Sequence, residues 1–336
     1  MRYHCLIACL FLSVSAPALA APPSTSPRLI DADLSTYRDN LRTGAPKDAI
    51  PSIDDPEYWS ASEAEQYMRD QDRVIGVYLD GQARAYPQRI LVWHEIVNDS
   101  IAGQRVAISY CPLTGTGLGF ERGSAEFGVS GKLMNSNLVM YDRSTGSRYP
   151  QILGAGISGP MAGKGLQEVR LVFTEWAKWK QRHPDTQVLS TDTDSMRNYQ
   201  RDPYGNYNPL GGYYEPNSSR MFPVLNEDGR YPPKREVLAF RDRQAAVAVD
   251  LETLSEQGVI THEAAGSNYV IIHDPVLDTG WVFRGKADID ADSIRFAPEG
   301  PRFQGRDELE AVNAFRAMWF AWAAFYPDTA VIDGAA

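Results

Sequence analysis

The feature that most constrains this chain is that it repeats itself. Val74-Ile75-Gly76-Val77 is echoed by Val237-Leu238-Ala239-Phe240, 163 residues further on. At the same spacing, Cys111-Pro112-Leu113-Thr114-Gly115-Thr116-Gly117-Leu118-Gly119-Phe120 aligns with Asp274-Pro275-Val276-Leu277-Asp278-Thr279-Gly280-Trp281-Val282-Phe283. The shared Pro, Thr, Gly and Phe predict a turn after a strand in both places. A third block closes each half: Trp176, Trp179, Pro184, Asp185, Thr186 and Val188 match Trp319, Trp322, Pro327, Asp328, Thr329 and Val331. Tryptophans at i and i+3 mark one buried helix face, and the proline ends that helix. Three blocks in one order predict two diverged tandem copies of one unit, residues 44–198 and a shorter 231–336.

Local signals give the unit its content. Ser60-Ala61-Ser62-Glu63 reads as a capping box that opens a short helix. Two apolar runs, Val74 to Leu79 and Gln82 to Tyr86, flank Asp80-Gly81 as a hairpin. Pro87 suits the first turn of a helix carrying Trp93, His94 and Val97, and Val106 to Tyr110 returns as a strand. Further short strands are expected at Leu118 to Glu121, Glu126 to Val129 and Leu138 to Tyr141. Hairpin-linked strands with a few helices predict an α+β fold of mainly antiparallel strands, packed as one compact protein, over a doubly wound sheet. Between the copies, the connector 199–230 is rich in Tyr, Gly, Pro and Asn. Its Tyr204, Tyr207, Tyr213 and Tyr214 either recognise a ligand or, more commonly in such stretches, pin an irregular segment to the core.

At the start, Arg2, the apolar run Leu6 to Val14 and Ala18-Leu19-Ala20 predict a signal peptide, 1–20, cleaved after Ala20. The expected location is periplasmic or secreted. A lipoprotein box at Leu6-Ile7-Ala8-Cys9 has almost no hydrophobic region before it. Residues 21–43, opening A-P-P-S-T-S-P, read as a flexible leader. Cleavage removes Cys5 and Cys9 and leaves Cys111 alone, so no intrachain disulfide is expected. It also takes away Arg2, moving the net charge from -10 to -11. Such a surface repels nucleic acid and anionic lipid. The apolar stretch Phe315 to Tyr326 contains Arg316 and is too short to span a bilayer, so no transmembrane segment is expected in the mature chain.

Several longer words stand out together: G-A-P-K-D-A-I-P-S-I-D-D-P from Gly44, A-R-A-Y-P from Ala83, W-H-E-I-V-N-D from Trp93 and Y-C-P-L-T-G-T from Tyr110. They continue with F-G-V-S-G from Phe127, N-S-N-L-V-M-Y-D-R from Asn135 and W-x-x-W-x-x-x-H-P-D-T from Trp176. In this combination, over nearly the whole mature chain, the sequence resembles the domain of unknown function 3179 family. The resemblance implies kinship and carries no activity with it. That family usually reads Y-C-P-L-C-G, whereas Thr114 stands here at the second cysteine position. One thiol excludes dithiol cycling within the chain and weakens any metal site built on the pair.

Two chemistries compete for the remaining candidates. His94, Cys111, His273 and Met140 form a soft-metal donor set suited to copper, with zinc as the alternative. Cys111 is also a candidate nucleophile, with His94 as base and Glu95 or Asp99 orienting it. Against both stands a packing role: His94 shares a helix face with Ile90 and Val97, and Cys111 and Met140 suit a core. A further reading is a non-catalytic cell-envelope protein that recognises a polysaccharide or protein partner through the connector tyrosines. Gly115-x-Gly117-x-Gly119 has the wrong spacing for a dinucleotide loop. Gly128 to Lys132 lacks the last glycine of a hydrolase elbow. Asp288, Asp290, Asp292 and Glu299 stand at calcium-loop positions, but Ser293 replaces the required glycine.

Overall fold

A computed structural model describes residues 21–334; the expected signal peptide, 1–20, lies outside the described residues. Strand β1 (Arg73–Leu79) turns at Asp80-Gly81, both at positive φ, into β2 (Gln82–Pro87), as a two-residue hairpin requires. Pro87 then sits at the N-terminal cap of α1 (Gln88–His94). The helix ends three residues before the expected Val97, because Glu95 turns left-handed at φ 58° and Val97 enters β3 (Ile96–Ile101). From there β4 (Gln104–Cys111) and β5 (Thr116–Glu121) form an antiparallel meander with β3, extended by Glu168–Val169 on the β5 edge. A second hairpin, β6 (Phe127–Met134) and β7 (Asn137–Asp142), makes a sheet with Arg42–Thr43 and Arg148–Pro150 at its edges. Finally β8 (Val172–Glu175), α2 (Trp176–Arg182) and β9 (Gln187–Leu189) return to the first hairpin, in the order β8-β1-β2-β9 and then Tyr58–Ser60. In that sheet β9 runs parallel to β2 and the other pairs are antiparallel.

A shorter series of elements in a similar order follows later in the chain, without a counterpart of the β6-β7 hairpin. Strands β10 (Glu236–Arg241) and β11 (Ala246–Asp250) lead into α3 (Leu251–Gln257). The meander β12 (Val259–Ala264), β13 (Ser267–Asp274) and β14 (Thr279–Arg284) comes next. Then β15 (Ala314–Met318), α4 (Trp319–Phe325) and β16 (Ala330–Ile332) close the sheet β15-β10-β11-β16, whose last pair is again parallel. In each half the second tryptophan of the helix is fully buried and donates its indole N–H to a threonine hydroxyl just past the proline. Trp179 reaches Thr186 at 2.9 Å and Trp322 reaches Thr329 at 2.9 Å. The molecule is therefore mostly antiparallel sheet with few helices, and among the described residues no helix is long and apolar enough to cross a membrane.

The earlier and later parts of the chain touch at several points. The turn after β4 accepts the Met318 amide at the Thr114 carbonyl (2.8 Å), and the turn after β13 accepts the Thr174 hydroxyl at the Leu277 carbonyl (2.6 Å). Arg73, which opens β1, pairs at 2.6 Å with Glu236, which opens β10. The segment 21–43, expected to be a flexible leader, is packed instead. Ser24–Thr25 pairs with Gly165–Leu166, and Tyr37, on the short helix Leu34–Asp39, is buried against Phe325. The aromatic ring supplies the burial that the Pro/Ser-rich composition of its start did not suggest.

Candidate functional site

The four expected metal donors do not come together. His94 ends α1 with both ring nitrogens engaged, Nδ1 with the Pro51 carbonyl at 2.8 Å and Nε2 with the Tyr199 hydroxyl at 2.6 Å. A carbonyl only accepts, so Nδ1 carries the proton and Nε2 accepts from Tyr199. Burial lowers the ring's pKa, so it is neutral, with its one lone pair used. Met140 is fully buried on β7 among core residues, and His273 lies on β13 of the other half, bonded to Asp278 at 3.2 Å. Among the described residues no group of three or more His, Cys, Asp or Glu side chains is placed to hold a metal ion. The acidic loop at 288–299 follows the same rule: Asp290 caps the turn Ala291–Ser293 and Glu299 pairs with Arg302.

Cys111 ends β4 fully inside the core. Its sulfur accepts the Leu138 amide at 3.3 Å and faces the Ser136 carbonyl at 3.8 Å. Burial, and then the nearby Glu95 charge, push the thiol up to about 12. It therefore stays protonated at neutral pH and lacks the thiolate a nucleophile or soft-metal ligand requires. Thr114, at the family's second cysteine position, is wired into a buried polar network with Thr116 (2.8 Å) and Asn137 (3.0 Å), which continues to Gln151. Asp99 does not orient His94; its carboxylate is held by Tyr58, Arg84 and Tyr86.

Glu95 stands apart from these settled groups. It is the residue after α1, and its φ of 58° is a conformation that costs a side-chain-bearing residue about 1 kcal/mol or more. The corresponding position after α3 is Gly258, φ 72°, where the left-handed turn carries no such cost. Glu95 is only 6% exposed, and burial alone pushes its carboxyl up to about 8. It lines a cavity of about 230 Å³ whose walls are largely apolar: Ile50, Leu113, Val129, Leu138, Phe222 and the Tyr204 ring. The roof is the backbone at Gly44-Ala45, whose amides bond to the Gly131 carbonyl at 2.9 and 3.2 Å. Only glycine fits at 131, since a Cβ there would lie 2.1 Å from the Ala45 carbonyl oxygen. Lys132, at the rim, spends its ammonium on the Thr43 hydroxyl at 2.6 Å.

The connector tyrosines are mostly anchors. Tyr213 donates to the Leu113 carbonyl (2.8 Å) and Tyr214 to Asp202 (2.8 Å). Tyr207 stacks on Tyr214 at 3.9 Å and lies under the Arg73 guanidinium at 3.8 Å. Tyr204 lines the Glu95 cavity. Five quoted words of the sequence converge there, contributing Gly44 and Ala45, Glu95, Leu113, Val129 to Gly131, and Leu138. Fold and site thus define a mainly antiparallel protein with a proton-bearing carboxyl in an apolar cavity. The chain belongs to the family described as protein of unknown function DUF3179, whose model it matches over residues 47–329. No curated protein and no solved structure matches it.

Proposed function

We propose that this protein binds a small, largely apolar, uncharged molecule in the Glu95 cavity, and that Glu95 donates a hydrogen bond or a proton to an acceptor oxygen on it. The observation that carries this reading is a carboxyl with no partner among the described residues, on an apolar cavity wall and kept there on a strained backbone. At neutral pH a carboxyl titrating near 8 is mostly protonated, hence a donor without charge, and near enough to neutrality to return as a base. Cys111 beneath it serves as a buried thiol that helps keep the site uncharged. The cavity suits a ligand of a few carbon atoms bearing a carbonyl or ether. A soft-metal or thiolate centre at His94 and Cys111 would need both groups to leave their present partners.

Two further readings frame this one. The chain is taken to descend from a duplicated unit, supported by the matched element order, the paired Trp–Thr bonds and the reciprocal contacts between halves. Export through the signal peptide at 1–20 rests on the sequence, and a ligand-binding role in the cell envelope is compatible with it.

The test is binding of cyclohexanone, a neutral probe with one acceptor oxygen, followed by calorimetry between pH 6 and pH 10. Saturable binding that weakens as pH rises through about 8 is expected. Glu95→Leu should lose it, and Glu95→Gln should bind with a flat pH profile. No binding, or a wild-type profile indistinguishable from that of Glu95→Gln, would sink the proposal.

A further inference from the structure

A larger cavity, about 600 Å³, opens where the two halves meet and the segment from 21 to 43 crosses them. Its walls hold an unusual concentration of unanswered polar atoms. Of the seven buried side-chain nitrogen and oxygen atoms without a hydrogen-bond partner among the described residues, five belong to residues that line this one space. They are Arg28 Nε, Arg170 Nε, His183 Nε2, Trp281 Nε1 and Asn313 Oδ1. Native interiors leave few such groups, and a cluster of them in one cavity calls for a missing partner. Three of the five, on Arg28, Arg170 and Trp281, are obligatory N–H donors, so the partner is rich in acceptors. His183 is 4% exposed, and burial pushes it down to about 4, so it meets the cavity as a neutral ring.

The charge balance points the same way. Arg170 has no carboxylate of its own: it donates to the Gly280 carbonyl at 2.5 Å, and its guanidinium lies 4.5 Å from the centre of the Trp281 ring. Burial pushes it down to about 10, against the opposing pull of Asp274. Asp274 is already held bidentately by Arg182, at 3.1 Å on both oxygens. The Glu168 carboxylate on the wall is likewise consumed, by Arg241 at 2.7 Å and Asn313 Nδ2 at 2.9 Å. Arg306 donates to the Leu309 carbonyl and lies over the Phe283 ring at 4.1 Å. Arg302 is paired with Glu299. Among the described residues, what remains without a paired carboxylate is the cationic set Arg28, Arg170 and Arg306, with exposed Asp307 opposing it at the rim. Trp281, Phe283, Val172 and Leu277 supply an apolar wall beside that set.

We infer that this cleft binds a small organic anion, a carboxylate or phosphate ester on a flat apolar body. Its oxygens meet the guanidinium groups of Arg28 and Arg170 and, with a small turn of these side chains, take the N–H groups that have no partner, Trp281 Nε1 among them, while its body lies along Trp281 and Phe283. A buried guanidinium without a carboxylate and a row of idle donors are what such a ligand satisfies. The site is separate from the Glu95 cavity, shares no lining residue with it and does not depend on it.

The experiment titrates the mature full chain by calorimetry with benzoate, phenyl phosphate, inorganic phosphate and neutral benzyl alcohol. Saturable one-to-one binding of benzoate or phenyl phosphate is expected, at least ~10-fold tighter than benzyl alcohol, the range a charge-assisted bond confers. The stronger of the two aromatic anions identifies the headgroup, and inorganic phosphate should bind more weakly for want of an apolar body. Arg170→Gln should weaken the anion at least ~10-fold, while Arg295→Gln, an exposed arginine outside the cleft, should not. Should Arg170→Gln fail to fold, Trp281→Phe keeps an aromatic ring without the N–H and should still weaken the anion. Equal binding of benzyl alcohol overturns the inference. So does an unchanged affinity in Arg170→Gln or Trp281→Phe, or no binding of any anion to the folded wild type.

Discussion

At the scale of single residues, Glu95 sets function against stability. In the unfolded chain it titrates at the ordinary value of 4.5, and in the fold at about 8. A raised carboxyl pKa means the folded state binds the proton more tightly, so its contribution is whole below pH 4.5 and is lost as pH rises through about 8. That loss amounts to a few kcal/mol, at roughly 1.4 kcal/mol per unit. Glu95→Gly should relieve the left-handed strain, worth about 1 kcal/mol, and with it the proton-linked loss, most of which is already present at pH 7, so the variant should gain a few kcal/mol at pH 7 and more at pH 9. Urea unfolding at the two pH values measures this, and a variant less stable than wild type at pH 9 contradicts it. The sequence showed Glu95 only as the neighbour of His94. Nothing local distinguished them: His94 proved to be tied to Pro51 and Tyr199, partners 43 and 105 residues away, whereas Glu95 faces space enclosed by five distant segments.

At the scale of elements, much was legible because the signals were short-range. The Asp80-Gly81 hairpin, the Ser60 capping box and both tryptophan helices lie where their residues place them. The second tryptophan of each helix is held by a threonine seven residues later, a contact that the spacing of the motif contains. Removing the hydroxyl with Thr186→Val or Thr329→Val should cost about 1–3 kcal/mol in each case, since the indole N–H is left buried and unpaired. The two losses should add, and thermal or urea unfolding of the two single variants and the double reads this. A large non-additive term would mean the helices are coupled through the junction. Less legible were the early end of α1 and the packing of 21–43, both decided by tertiary contacts. His183 carried a signal that went unread: it sits in the same motif as the two tryptophans, opposite Tyr326 in the second half.

At the scale of the whole molecule, the earlier and later parts of the chain are joined by an ion-pair cluster. Arg73 and Glu236 hold the same position in their respective halves and bind each other, with Arg316 approaching Glu236 at 3.6 Å and Tyr207 beneath Arg73. Burial would raise the Glu236 pKa, but Arg73 and Arg316 more than offset it, and the carboxyl stays below its usual range. Arg73→Glu should therefore place two carboxylates face to face in a partly buried site and cost several kcal/mol, on the scale of breaking a buried pair. Adding Glu236→Arg should restore part of the loss, measured by urea unfolding. No recovery in the double variant would mean that Tyr207 and Phe173, rather than charge, fix this contact. The cleft was illegible in the sequence for the same reason: its walls come from opposite sides of the junction, which no local pattern describes.

That contact also bears on the history of the chain. Under exact twofold symmetry a residue on the axis faces its own copy. A single-unit ancestor that paired with itself would have set arginine against arginine there, or glutamate against glutamate. An arginine facing a glutamate is open to two units that differ in sequence, as two units carried on one polypeptide are free to do. On the duplication reading, then, this ion pair was set in place only after the two units had come to differ in sequence.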